Sequence, residues 1–307
     1  TDVLFSYEKE KGKVQLENAD LTAYPETVVF GLHPCDAAGF NPLGAIFNWD
    51  YKDELYNARL QRTVVVTLAC TKADEYCFCT SVNGGPGNTA GNLNVIILEQ
   101  RTVVVTLACT KADEYCFCTS VNGGPGNTAG SDIQLTPVNG GFLAEILTEK
   151  GAALVKADEA AFEADRGDVK EEFLVKLPEK FDIKTVQEKL QTAFESPIWK
   201  AQSQRCIGCG ACAYVCPTCA CFDIQEDAHG TKGKRLRCWD SCGFALFTLH
   251  TSGHNPRQTQ AQRWRQRLLH KFSYMPDRLS VRGCTGCGRC SRACPVDMNI
   301  AEHLSSI

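Results

Sequence analysis

The sequence predicts an α/β (α+β) N-terminal domain over residues 1–150, a helical linker over 151–202 and a mostly α-helical C-terminal domain over 203–307. Three observations carry that reading. Apolar β-branched runs alternate with glycine-rich or polar turns in the first half, a charged segment with four-residue apolar spacing follows, and two cysteine runs of identical spacing stand near the end. A chain of 307 residues allows one large domain or two modest ones, and the shift in composition near residue 150 favours two.

In order, Thr27 to Leu32 (TVVFGL), Thr63 to Leu68 (TVVVTL) and Ile133 to Val138 (IQLTPV) read as strands. Continuous apolar runs of this kind suit strands buried on both faces of an α/β layer. The last leads into a short helical pattern, Gly141 to Lys150. Beyond Gly151, Val186, Leu190 and Phe194 fall four apart, an apolar stripe on a helix that leads into the first cysteine run. Residues 217–283 separate the two runs and are too many for a simple loop, so they must fold as an insertion.

The runs are Cys206-x2-Cys209-x2-Cys212-x3-Cys216-Pro217 and Cys284-x2-Cys287-x2-Cys290-x3-Cys294-Pro295. This spacing wraps three thiolates around one 4Fe-4S cube and sends the fourth to a neighbouring cube. Gly208, Gly210, Gly286 and Gly288 let the backbone curl tightly enough for the thiolates to converge, and the proline then redirects the chain. The crossed pattern assigns Cys206, Cys209, Cys212 and Cys294 to one cluster and Cys284, Cys287, Cys290 and Cys216 to the other. The C-terminal domain is thus a two-cluster (2 x 4Fe-4S), ferredoxin-like module. A lone CxxC would equally suit zinc or a redox dithiol, but eight cysteines in two matching runs favour iron.

Nineteen cysteines, an odd number, with no apolar leader fit reduced thiols used as ligands in the cytoplasm. No apolar run approaches the roughly 20 residues of a membrane span. A net charge of -4 offers no basic face for nucleic acid, although KGKRLR (232–237) and RWRQR (263–267) are local basic patches, read as solvated surface or as a docking rim for an acidic redox partner.

Residues 62–91 and 101–130 are identical letter for letter. True architectural repeats drift, and two copies cannot build a solenoid, so the identity marks a very recent duplication or a sequence artefact. Each copy holds Cys-x6-Cys-x-Cys: Cys70, Cys77 and Cys79 in the first, Cys109, Cys116 and Cys118 in the second. Cys35 follows a strand, and loops leaving the carboxyl ends of parallel strands meet in one crevice. Cys35 with Cys109, Cys116 and Cys118, or with Cys70, Cys77 and Cys79, therefore makes a four-thiolate set for a third 4Fe-4S cluster; the bland reading is small buried residues. For Cys219, Cys221, Cys238 and Cys242 a structural role or sulfur hydrogen bonding near a cluster is expected ahead of ligation.

The motifs Gly31-Leu-His-Pro-Cys35-Asp36, Cys-Phe-Cys-Thr-Ser, the run from Cys206 to Asp223, Trp239-Asp-Ser-Cys242 and Ser252-Gly-His-Asn-Pro-Arg257 together resemble the iron-sulfur subunit shared by cytoplasmic sulfhydrogenases (beta subunit) and anaerobic sulfite reductases. The resemblance spans nearly the whole chain. It implies a relay subunit carrying single electrons between a flavoprotein that handles FAD and NAD(P)H and a catalytic subunit such as a hydrogenase or sulfite reductase. The duplication departs from the family, and deleting one copy's worth of chain restores the usual spacing. No G-x-G-x-x-G stands in a strand-turn-helix context, so flavin and nicotinamide are assigned to a partner. Gly84-Gly-Pro-Gly87 and its copy Gly123-Gly-Pro-Gly126 lack a following Lys-Ser/Thr and read as turns. No catalytic residue is assigned. The alternative is a catalytic iron-sulfur subunit that acts on a disulfide or sulfur species, disfavoured because no two cysteines are adjacent.

Overall fold

A computed structural model describes residues 2–25, 27–32, 39–67, 105–110, 117, 119–121, 124–128, 131–164 and 166–307. Cys35, Cys70, Cys77, Cys79, Cys116 and Cys118, and the segment 92–100 between the copies, lie outside them.

Two sheets organise the described residues. The first is antiparallel, in the order β2-β1-β9-β8, built from β1 (Asp2–Glu10), β2 (Lys13–Asn18), β8 (Phe222–His229) and β9 (Lys232–Trp239). The second runs β3-β4-β5-β6-β7, from β3 (Thr27–Leu32), β4 (Thr63–Thr67), β5 (Val105–Leu107), β6 (Ile133–Val138) and β7 (Gly141–Ile146). Its first four strands are parallel and β7 is antiparallel. The crossover from β3 to β4 carries α1 (Phe40–Phe47) and α2 (Glu54–Gln61), because parallel neighbours need a long return connection.

The strands expected at Thr27, Thr63 and Ile133 are present, and β6 buries Ile133, Gln134 and Thr136, as an interior parallel strand should. The amide nitrogen of buried Gln134 donates to Asn127 O and Thr106 Oγ1. The described strands of the two identical segments are neighbours: Val66 of β4 pairs with Val105 of β5, which holds the same place in the second copy. A duplicated strand can extend a parallel sheet because each copy offers the same ladder of backbone donors and acceptors.

The helical pattern expected over Gly141 to Lys150 is not what forms. Gly141–Ile146 is β7, returning along β6 with Val138 opposite Gly141. The reason is the two-residue turn Asn139-Gly140, whose Gly140 sits at φ 84°: Asn-Gly closes a tight hairpin, and pairing then overrides the weak periodicity. The helix begins at α3 (Glu149–Ala157), where Thr148 Oγ1 accepts from Gly151 N.

In the linker, α4 (Ile183–Thr192) starts at Asp182, whose carboxylate caps Lys184 N and Thr185 N. Its buried stripe is Ile183, Val186 and Leu190. Phe194 falls past the helix end, exposed, with the Arg265 guanidinium 3.7 Å from its ring centroid. Val186 and Leu190 join Trp199 of α5 (Ile198–Gln202) in one core with Trp264, Leu268, Phe272, Ile300 and Leu304.

After the single turn α6 (Ala211–Tyr214) in the first cysteine run, the insertion is only partly helical. Its first half is the β8–β9 hairpin, and its second is α7 (Gln260–Leu269), a π-turn (His270–Tyr274) and α8 (Met275–Leu279). Much of the charge in both patches is paired or buried by this packing, while Lys232 and Lys234 stay exposed. In β9, Lys232 pairs with Glu8, Arg235 with Glu226, and Arg237 with Asp2 and Asp53. In α7, Arg263, Trp264 and Arg267 are buried.

Arg237 ties the first sheet to the helical crossover. Its guanidinium donates to Asp2 Oδ2 at 2.8 and 3.1 Å and to Asp53, 5.0 Å from the Phe47 ring centroid and 5.7 Å from that of Phe222. Arg237→Ala strands two partly buried carboxylates, so we expect a loss of about 3 kcal/mol in unfolding free energy by urea titration. A loss below about 1 kcal/mol would mean that solvent screens the triad as it screens a surface pair.

Candidate metal centre

The two cysteine runs fold into the same backbone twice. Gly208 and Gly210 take φ of 71° and 78°, and Gly286 and Gly288 take 69° and 68°. A side chain is strained there, so glycine is what allows the curl around each thiol set. After each second glycine comes a single helical turn, α6 in the first run and α9 (Arg289–Arg292) in the second, carrying Cys212 and Cys290. The hydrogen bonds repeat as well. Ala213 N to Gly210 O (2.8 Å) and Cys216 N to Ala213 O (3.3 Å) match Ser291 N to Gly288 O (3.0 Å) and Cys294 N to Ser291 O (3.1 Å).

The surroundings of the two runs differ. Cys284, Cys287 and Cys290 are buried, whereas Cys209 is exposed and Cys206 and Cys212 are half-buried. One cavity is lined by Cys206, Cys209, Cys212, Cys290 and Cys294, thiols from both runs, and by Cys242, with Arg263, Arg267 and Gln260 on its wall. Gln260 Nε2 donates to Cys206 Sγ at 3.0 Å, and Met298 N donates to Cys294 Sγ at 3.3 Å. Cys216 is an electrostatic neighbour of Cys284 and Cys290, and of Cys212 as well. No three Cys, His, Asp or Glu side chains among the described residues converge on a single metal ion.

Two buried cations stand between the thiol sets. Arg267 and Lys271, one helical turn apart on α7 and the π-turn, are each 4% exposed. Lys271 Nζ donates to Cys216 Sγ (3.3 Å), Thr218 Oγ1 (2.8 Å) and Gly283 O (2.9 Å). Arg267 donates through Nη2 to Cys212 O at 2.6 Å and through Nη1 to Cys219 Sγ at 3.6 Å. Neither has a carboxylate within ion-pair distance among the described residues. Arg267 Nε and the hydroxyl of Thr285, next to Cys284, are buried without a hydrogen-bond partner. Burying an unpaired cation costs several kcal/mol. Two such cations and two orphaned donors around eight thiols are the complement of an anionic sulfur-rich core, so the residues present fit 4Fe-4S clusters.

The thiols respond to both influences. Burial pushes Cys212 and Cys284 up and Cys290 up to about 12. A hydrogen bond from Cys219 pulls Cys216 well below the ordinary thiol range against burial, and Lys271 and Arg267 add to the pull. Cys242 is lowered to about 5, first by a hydrogen bond from Cys221. Cys219, Cys221 and Cys242 thus form sulfur hydrogen bonds beside the two sets, while Cys238 lies on β9 opposite Asp223.

Of the third thiol set, Cys109 alone is described. It follows β5 by two residues and is held by backbone bonds, accepting from Val175 N at 3.0 Å and donating to Pro125 O. The second copy's Phe117 is fully buried in the core that also holds Leu190, Trp264, Cys284 and Cys290. Sequence reasoning missed Arg267, Lys271 and Gln260. The available signal was the spacing of Trp264, Leu268 and Phe272, which puts Arg267 and Lys271 beside an apolar stripe rather than opposite it.

A family model described as a 4Fe-4S dicluster domain matches residues 205–298. The chain is 27% identical over 293 residues, 91% of its own length and 73% of the relative's, to the beta subunit of sulfhydrogenase 2 of Pyrococcus furiosus. No solved structure is significantly similar. No helix among the described residues is long and apolar enough to cross a membrane. Repeated backbone, matched motif and a likeness over most of the sequence agree: the chain carries a 4Fe-4S dicluster domain at residues 205–298 and is similar along most of its length to a sulfhydrogenase beta subunit.

Proposed function

We propose that this chain is the electron-relay subunit of a cytoplasmic multi-subunit oxidoreductase, placed between a flavoprotein that binds FAD and NAD(P)H and a catalytic subunit such as a hydrogenase or sulfite reductase. The observation that carries it is the cavity shared by thiols of both runs, with the buried Arg267 on its wall and its Nε without a hydrogen-bond partner. Cys206, Cys209, Cys212 and Cys294 would hold one 4Fe-4S cluster and Cys284, Cys287, Cys290 and Cys216 the other. Cys35 with Cys109, Cys116 and Cys118 is the candidate set for a third, Cys70, Cys77 and Cys79 being the first copy's equivalents. The clusters supply one-electron chemistry when bound. The chain's part is to hold the thiolates, exclude water from the second run and leave the first near the surface. Gln260, Arg267 and Lys271 direct donors at ligand sulfurs or their backbone, as side chains outside the ligand set commonly do at metal sites.

Anaerobic purification from the native cell, with iron, sulfide and zinc analysis of the chain, tests this. We expect a flavoprotein to co-purify and iron at about eight atoms per chain, or about twelve with the third site filled. Zinc in place of iron, or an isolated chain that turns over NAD(P)H alone, would overturn it.

A further inference from the structure

We propose that Lys271 sets the order in which the two clusters are reduced, by placing a fixed positive charge on the buried one; the inference rests on the crossed ligand assignment above. The thiol set of the second run is the more deeply buried, and burial opposes adding an electron to an anionic group. Left to burial alone, that site would be the harder to reduce. Lys271 reverses this. Its ammonium touches Cys216 Sγ, the fourth thiol assigned to the buried set, and its other hydrogen bonds go to neutral oxygens of Thr218 and Gly283. Arg267 lies between the sets, bonded to Cys212 O and an electrostatic neighbour of Cys212 and Cys290 together, so its charge is shared. At the first set the donor on a ligand sulfur is neutral, Gln260 on Cys206 Sγ; Arg263 also lines that cavity, but it donates to Gln260 Oε1 and to the carbonyls of Arg257 and Gln258. The buried site therefore has an ammonium on a ligand sulfur where the exposed site has a neutral amide.

The position is built rather than incidental. A π-turn at His270–Tyr274 interrupts the helix at Lys271, a feature often found at functional sites. Gly283 packs so closely that a Cβ there would lie 2.6 Å from the Lys271 backbone. Thr218 Oγ1, which accepts from the ammonium, itself donates to Gly283 O at 2.7 Å and fixes the cage. Lys271 is thus a positioning residue acting through Cys216, with no acidic partner among the described residues to neutralise it.

The test is a redox titration of the full-length iron-loaded chain, read by electron paramagnetic resonance of the reduced clusters. Wild type is compared with Lys271→Met, Lys271→Gln and Lys271→Arg. We expect the reduced-to-oxidised ratio of one cluster to fall at least tenfold at fixed potential in the two neutral variants, a shift of about 59 mV to more negative values for one electron. The other cluster should move much less, and Lys271→Arg should stay close to wild type. The wave that moves should be the one abolished by Cys216→Ser. Equal movement of both waves, or none with iron retained, overturns the proposal. So does loss of iron from both neutral variants with Lys271→Arg intact, which would make the lysine an assembly residue. If a single wave moves but Cys216→Ser abolishes the other one, the crossed assignment fails and the proposal that rests on it fails with it; a wild-type chain without iron refutes the relay reading instead.

Discussion

Replacing Cys216 by serine is expected to halve the iron of the dicluster domain, from about eight to about four atoms, and the iron lost belongs to the second run rather than the first. The reasoning is geometric. Cys294 lines the cavity of Cys206, Cys209 and Cys212, whereas Cys216 neighbours Cys284 and Cys290 and accepts from Lys271. Pairs of substitutions decide between crossed and uncrossed ligation. Cys216→Ser with Cys284→Ser should lose no more iron than either alone, because both strike one site. Cys216→Ser with Cys209→Ser should lose all eight atoms. The opposite pattern would show that each run closes its own cluster.

Phe117→Ala should destabilise the fold by about 3 to 5 kcal/mol, the range for deleting a fully buried aromatic ring. Phe117 has no exposed surface, packs its ring 5.3 Å from that of Phe181, and belongs to the core beneath the second cysteine run. Anaerobic urea denaturation should show a lower midpoint with an unchanged slope, since the same surface is exposed on unfolding. A change under about 1 kcal/mol would place Phe117 outside that core. The prediction bears on the duplication, because it ties the second copy, through Phe117, to the core of the dicluster domain.

What was legible in the chain beforehand depended on how local the physics is. A tight curl is local, so spacing and glycines alone foretell the repeated backbone of Cys206 through Cys216 and Cys284 through Cys294. The parallel strands were legible because their β-branched runs need no particular partner to be recognised. At Gly141 two local signals competed, a faint helical period and an Asn-Gly turn, and the turn was the stronger. The β8–β9 hairpin escaped because its strands are largely polar and exposed, and β9's other neighbour is the first strand of the chain. Arg267 and Lys271 escaped for a different reason. A charged residue in a helix is ordinarily solvated, and these two are buried beside cysteine sulfurs that are distant in sequence.

The first sheet has a consequence for biosynthesis. Asp2 and Arg237, bonded across β1 and β9, are 235 positions apart. At roughly 5 to 20 residues per second, β1 waits about 12 to 47 s for the strand that covers its open edge. During that interval it has only β2, and an isolated two-stranded hairpin is marginally stable at best. Such an edge is a ready template for pairing with another chain. Rapid completion of synthesis through β9 therefore protects the nascent chain from aggregation, before the second cysteine run has been made at all.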